Sequence, residues 1–192
     1  MKKTNQYYAK DRAAWREWLK KHHTKSNNVW LVIYHQKSKK TSVSYNEAVE
    51  EAISFGWIDS KPNKRDNESY YLLFSKRNPK SNWSKANRER AEKLIKNGLM
   101  TKSGMETINL AKKNRTWTAL DEVQKSVVPP DLKKALAKNK KAEKYFTEFP
   151  PSSKRIILEW ILNAKKPETR QKRIEETVKQ AEKNLRAHHY RQ

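Results

Sequence analysis

Val29-Trp30-Leu31-Val32-Ile33-Tyr34 is six consecutive apolar residues. Three are β-branched and two aromatic, and the run is too short for a helix of its own, so it predicts a strand covered on both sides. Upstream, residues 11–21 place Ala14, Trp15, Trp18 and Leu19 on one stripe, which predicts an amphipathic helix. Downstream, Ser44-Tyr45-Asn46-Glu47 has the form of a capping box. The helix it opens carries Ala48, Val49, Ala52 and Ile53 inward and stops at Gly56, where a left-handed residue is needed. Ser69-Tyr70-Tyr71-Leu72-Leu73-Phe74-Ser75 reads as the second long strand, with residues 57–59 as a short one. Helices follow from Ser84 as N-cap to Gly98, and over Glu106 to Lys113.

Beyond Pro129-Pro130 every segment reads as helix: residues 131–138, residues 139–146, a third helix capped by Ser152/Ser153, and a fourth from Pro167 to about Arg186. The expected fold class is α+β, a small mainly antiparallel sheet packed with helices, followed by a C-terminal all-helical unit. The expected domains are residues 1–125 and 126–192.

The chain has 192 residues, and 44 Lys+Arg against 21 Asp+Glu give it a net charge of +23. Seven Trp and eight Tyr supply a core and exclude a disordered chain. Cysteine is absent, which excludes a disulfide scaffold and a thiolate metal site. The opening strand is the longest apolar run and falls far short of the ~20 residues of a membrane span. Met1-Lys2-Lys3 leads into no apolar stretch, so no secretory signal and a cytoplasmic location are expected. The charge is spread, with 27 basic against 13 acidic residues in 1–125 and 17 against 8 in 126–192. Lys outnumbers Arg 32 to 12, which suits diffuse attraction to phosphate more than base-specific reading. The expected partners are nucleic acid or an anionic small molecule, or the charge is only a solvated surface.

Three segments are denser in Trp, Asp and Arg than packing alone requires: residues 55–61, 75–88 and 164–173. In the first, Asp59 is either a general base in a cleft floored by Trp57 or a turn acceptor paired with Arg77. Trp57 and Trp83 are either a stacking platform for a flat ring or sugar, or core residues. In the second, Ser84 as N-cap directs first-turn amides outward, where Arg77, Ser81, Asn87 and Arg88 can converge on an anion. The alternative is a capped helix braced by an arginine–carboxylate pair. In the third, Lys165, Lys166, Arg170 and Arg173 surround another helix start and form a candidate second anion site, unless Arg170 is braced on an acid elsewhere. The histidines at 22, 23, 35, 188 and 189 do not form the i, i+4 metal face, and no metal site, catalytic set or cofactor motif is expected.

Trp15, Trp18 and Leu19, the stretch from Ala48 to Ser60 with its Gly56-Trp57-Ile58-Asp59, and the Arg77, Ser81, Trp83, Ser84, Asn87, Arg88/Arg90 set together resemble the YdeI/OmpD-associated, or bacteriocin-protection, family. The run from Pro130 through Ala142, Phe146 and Trp160 to Ala164-Lys165-Lys166-Pro167-Glu168-Thr169-Arg170 resembles that family's terminal module. The resemblance implies an α+β first domain and a short helical second one, without an established reaction or cofactor. A chain of +23 repels cationic peptides, so direct capture of a cationic bacteriocin is not expected. The functional expectation is a non-enzymatic binding or stress-resistance protein. The alternative is a small enzyme acting on an anionic metabolite, with Asp59 as base and Arg77 as anion anchor.

Overall fold

The computed structural model describes residues 5–189, so the Met1-Lys2-Lys3 on which the leader expectation rests lies outside the described residues. The fold is α+β, and the chain divides between Ala119 and Leu120 into two compact units.

The first unit runs β1 (Gln6–Tyr8), α1 (Arg12–His22), β2 (Asn28–Tyr34), α2 (Tyr45–Ser54), β3 (Trp57–Asp59), β4 (Asn63–Lys64), β5 (Ser69–Lys76), α3 (Lys85–Lys96) and α4 (Lys102–Lys113). Its sheet has the order β1-β2-β5-β3, with β4 also on β5. Pairing is antiparallel between β5 and β2, β3 and β4, and parallel between β1 and β2, so the sheet is mixed. The opening strand is β2, paired along its whole length with β5, from Asn28 opposite Ser75 to Tyr34 opposite Ser69. Residues 29, 31 and 33 are buried with Leu72 and Phe74. Trp15 of α1 meets Phe74 at 5.3 Å between ring centroids, and its Nε1 donates to Ala48 O of α2 at 3.0 Å.

Local signals placed several ends as expected. The capping box at Ser44 is complete, Ser84 caps α3, and Gly56 and Gly98 take positive φ. The α1–α2 contact is also ionic: Glu51 is 2% exposed and receives Arg12 Nε at 2.6 Å and Arg16 Nη1 at 2.5 Å. β1 and β4 were not read from the sequence. α4 starts earlier than the expected Glu106, because Thr101 both caps it and donates to Ser54 O at 2.6 Å.

The second unit holds α5 (Asp121–Gln124), α6 (Pro130–Ala137), α7 (Lys140–Glu148), α8 (Pro151–Leu162) and α9 (Pro167–Glu182) around Leu132, Phe146, Ile157 and Ile161. Ser152 and Ser153 do not cap α8: Pro151 already occupies its first turn, where a fixed φ and a missing N–H cost nothing, and Ser153 is buried.

Candidate functional site

Arg77 follows directly on β5, and its backbone N–H donates to Gly56 O at 3.0 Å, which ties the strand end to the α2–β3 turn. The chain then folds back through a turn in which Ser81 N–H and Oγ both donate to Asn78 O, at 2.9 and 2.7 Å. That return brings Asn82 and Trp83 against the guanidinium. Arg77 Nη2 donates to Asn82 O at 2.6 Å, and Cζ lies 3.9 Å from the Trp83 ring centroid. Trp83 is buried and rests on Trp117 at 4.8 Å.

The guanidinium is thus placed by packing, and its charge has little to answer it. Arg77 is 7% exposed, and its Nε and Nη1 are buried with no hydrogen-bond partner among the described residues. Burial pushes its pKa down to about 10, with the charge of Asp59 acting the other way. Buried charges are normally paired and hydrogen-bonded, because desolvation costs several kcal/mol.

Arg77 lines a cleft of about 410 Å³ together with His23, Gly56, Trp57, Lys76, Ser103 and Thr107, among others. Two glycines let its walls close. A Cβ on Gly56, which has φ +75°, would lie 2.5 Å from Thr107 Oγ1 and 3.1 Å from Ser103 O. A Cβ on Gly104 would strike Ser54 O at 2.4 Å, so the absence of a side chain there seats α4 on the end of α2. His23 Nδ1 bonds to Leu19 O at 2.9 Å and its Nε2 meets Ser103 Oγ at 3.1 Å. Lys76 Nζ donates to Thr24 O at 2.9 Å. Trp57 is 1% exposed, meets Trp18 edge-on and donates through Nε1 to His23 O at 3.3 Å, so it is floor and core at once. Glu106 is the acid on the rim.

The other residues singled out from the sequence are distributed differently. Asp59 accepts from Tyr45 Oη at 3.0 Å, makes no ion pair with Arg77, and does not line the Arg77 cleft. Burial, and then the charge of Asp59, raise the pKa of the Tyr45 hydroxyl. Tyr45 belongs to a separate cavity of about 580 Å³, walled by His35, Tyr70 and Leu72. That cavity was not read from the sequence. Its one sequence signal is an aromatic residue directly after the Ser44 cap, facing a strand residue two before buried Leu72. Ser84 is spent on Asn87 N–H, and Asn87 Oδ1 accepts from Arg90, which also reaches Asn46. Arg88 is half-buried on the same helix.

At the start of α9 the two arginines have acceptors. Arg170 grips Asp131 with Nε–Oδ2 at 2.6 Å and Nη2–Oδ1 at 3.0 Å, and Nη1 reaches Ile161 O at 3.4 Å. The hydrogen bond from Arg170 holds the Asp131 carboxyl below its ordinary pKa. Arg173 lies 5.1 Å over the Trp160 ring and donates to Trp160 O. Lys165 and Lys166 are exposed.

Among the described residues no cluster of three metal-ligating side chains occurs, and no helix is long and apolar enough to cross a membrane. Residues 7–107 match the family model described as a domain of unknown function (DUF8412). Residues 125–184 match the model described as Bacteriocin-protection, YdeI or OmpD-Associated. No curated protein and no solved structure matches the chain.

Proposed function

The chain belongs to the DUF8412 family and contains a YdeI/OmpD-associated domain, and from this premise we propose that it is a binding protein for a small anionic ligand, bearing a phosphate or carboxylate, held at the Arg77 cleft. One observation carries the reading: a buried guanidinium stacked on Trp83 with two nitrogens, Nε and Nη1, that find no acceptor among the described residues. An anion reaching Nε or Nη1 from the cleft supplies a missing acceptor, and a hydrogen bond from a charged guanidinium to a carboxylate or phosphate is stronger than a neutral one. Lys76 adds charge at the mouth.

A catalytic reading needs Asp59 and Arg77 to face one substrate, and Asp59 is instead engaged by Tyr45 beside the other cavity. Binding without turnover is therefore the better-supported reading. Any part in protection from bacteriocins runs through the anionic ligand, since a chain at +23 repels cationic peptides.

Calorimetric titration with inorganic phosphate, sulfate and acetate tests it. Saturable binding is expected for at least one anion, weakened by about thirtyfold or more in Arg77→Met. Absence of saturable binding, or equal affinity in the folded variant, removes the proposal.

A further inference from the structure

The sheet face turned away from α1 and α2 has a chemistry of its own. Register sets Tyr8, Val32 and Tyr71 in one row across β1, β2 and β5, with Gln6, Trp30 and Leu73 in the next. These side chains alternate with the residues that face Trp15 and α2. Tyr8 is 47% exposed, and Trp30 and Tyr34 are half-buried. Tyr8 and Tyr34 meet edge to face at 5.8 Å, and Trp30 and Tyr71 at 6.2 Å. Two cations flank the rings: Arg65 lies 5.9 Å from the Tyr71 centroid and Lys40 lies 5.8 Å from that of Tyr34. Tyr8, Tyr34, Val32 and Arg65 line a shallow cavity of about 460 Å³. The nearby acids are Asp66, paired with Arg65 at 2.9 Å, and Glu68, which accepts from Ser38 at 3.4 Å.

Rings set on a rigid sheet and flanked by cations suit a polymer that alternates flat aromatic faces with negative charges. A sugar would use the rings without needing the cations. A duplex offers the charges while hiding the base faces in its own stack. We propose that this face binds single-stranded nucleic acid, with bases stacked on Tyr8 and Tyr34 and phosphates drawn to Arg65 and Lys40. Stacking on an aromatic ring tolerates any base, which agrees with the Lys-rich composition. The surface is distinct from the Arg77 cleft and stands or falls separately from it.

The test is fluorescence anisotropy with a labelled oligothymidine of about twelve nucleotides and a duplex of equal length, at about 50 and about 150 mM salt. The single strand is expected to stay bound at the higher salt, about tenfold tighter than the duplex. Tyr8→Ala should weaken it about tenfold, while Tyr8→Phe, which keeps the ring, stays within about threefold. Arg65→Gln should lower the salt slope by about one contact, and Arg77→Met should change nothing. Circular dichroism checks that each variant folds, and Arg65→Gln carries the test if Tyr8→Ala does not. Equal affinity for duplex, loss of binding at the higher salt, or a salt slope untouched in Arg65→Gln overturns the proposal.

Discussion

Arg77, just past β5, and Arg170, in the first turn of α9, occupy closely similar sequence settings: cations, hydroxyl or amide side chains, and a helix beginning nearby. Their surroundings differ in kind. Arg170 meets a carboxylate with two parallel hydrogen bonds and a carbonyl with a third. Arg77 is more deeply buried, yet donates once and lies on a ring. One arginine fastens two helices together, and the other presents a charge that makes no ion pair among the described residues. A basic cluster at a helix start therefore has no meaning until the acceptors are counted, and the acceptor for Arg170 comes from α6, far away in sequence.

Glu51 offers the strongest way to sharpen that contrast, since it is a buried carboxylate that serves two arginines of α1. Glu51→Ala should cost about 2 kcal/mol in urea unfolding, because it removes the buried acceptor of Arg12 Nε and Arg16 Nη1, while Arg12 keeps Glu50 at 3.0 Å and Arg16 keeps Leu99 O at 3.1 Å. A loss below about 1 kcal/mol would mean that such braces carry little here. Next in size, Arg170→Met should cost about 1 kcal/mol at neutral pH, a modest figure because the pair is partly exposed. Its pH dependence has a definite sign. The Asp131 carboxyl has a folded pKa below its unfolded value near 3.9, so the pair's stabilisation is present above that value and fades as pH falls through the folded pKa. The gap between wild type and Arg170→Met should accordingly close below about pH 4, as thermal unfolding across pH would show. Smallest is Arg77→Met without ligand. Removing an unanswered buried charge offsets the lost hydrogen bond and ring contact, so the unfolding midpoint should shift by less than about 1 kcal/mol equivalent. A loss of about 3 kcal/mol would make Arg77 a brace after all.

Much of the fold was legible because its signals are local. The Ser44 box, the Ser84 cap and the turn at Gly56 each depend on residues within one helical turn. β1 was missed because three residues, joined in parallel to β2, carry no pattern of their own. The helix-start motif was legible at both arginines, but whether each was satisfied was not. Asp131 meets Arg170 only through packing of α6 on α9, and Asp59 is drawn to Tyr45 by the length of β3. The large cavity beside Tyr45 arises where β3 ends and β4 takes over the edge of β5, a handover that no composition announces.

The pairing of β2 with β5 also bears on how the chain acquires its structure. Tyr34 and Ser69 are partners in register, yet α2, β3 and β4 all lie between them in the chain. That long segment must be gathered before the central ladder returns any free energy. The slow step of refolding is thus assigned to the closing of the sheet. Until it closes, the apolar edge of β2 is open to pairing with other chains, so Val29–Tyr34 is the segment most exposed to aggregation during synthesis.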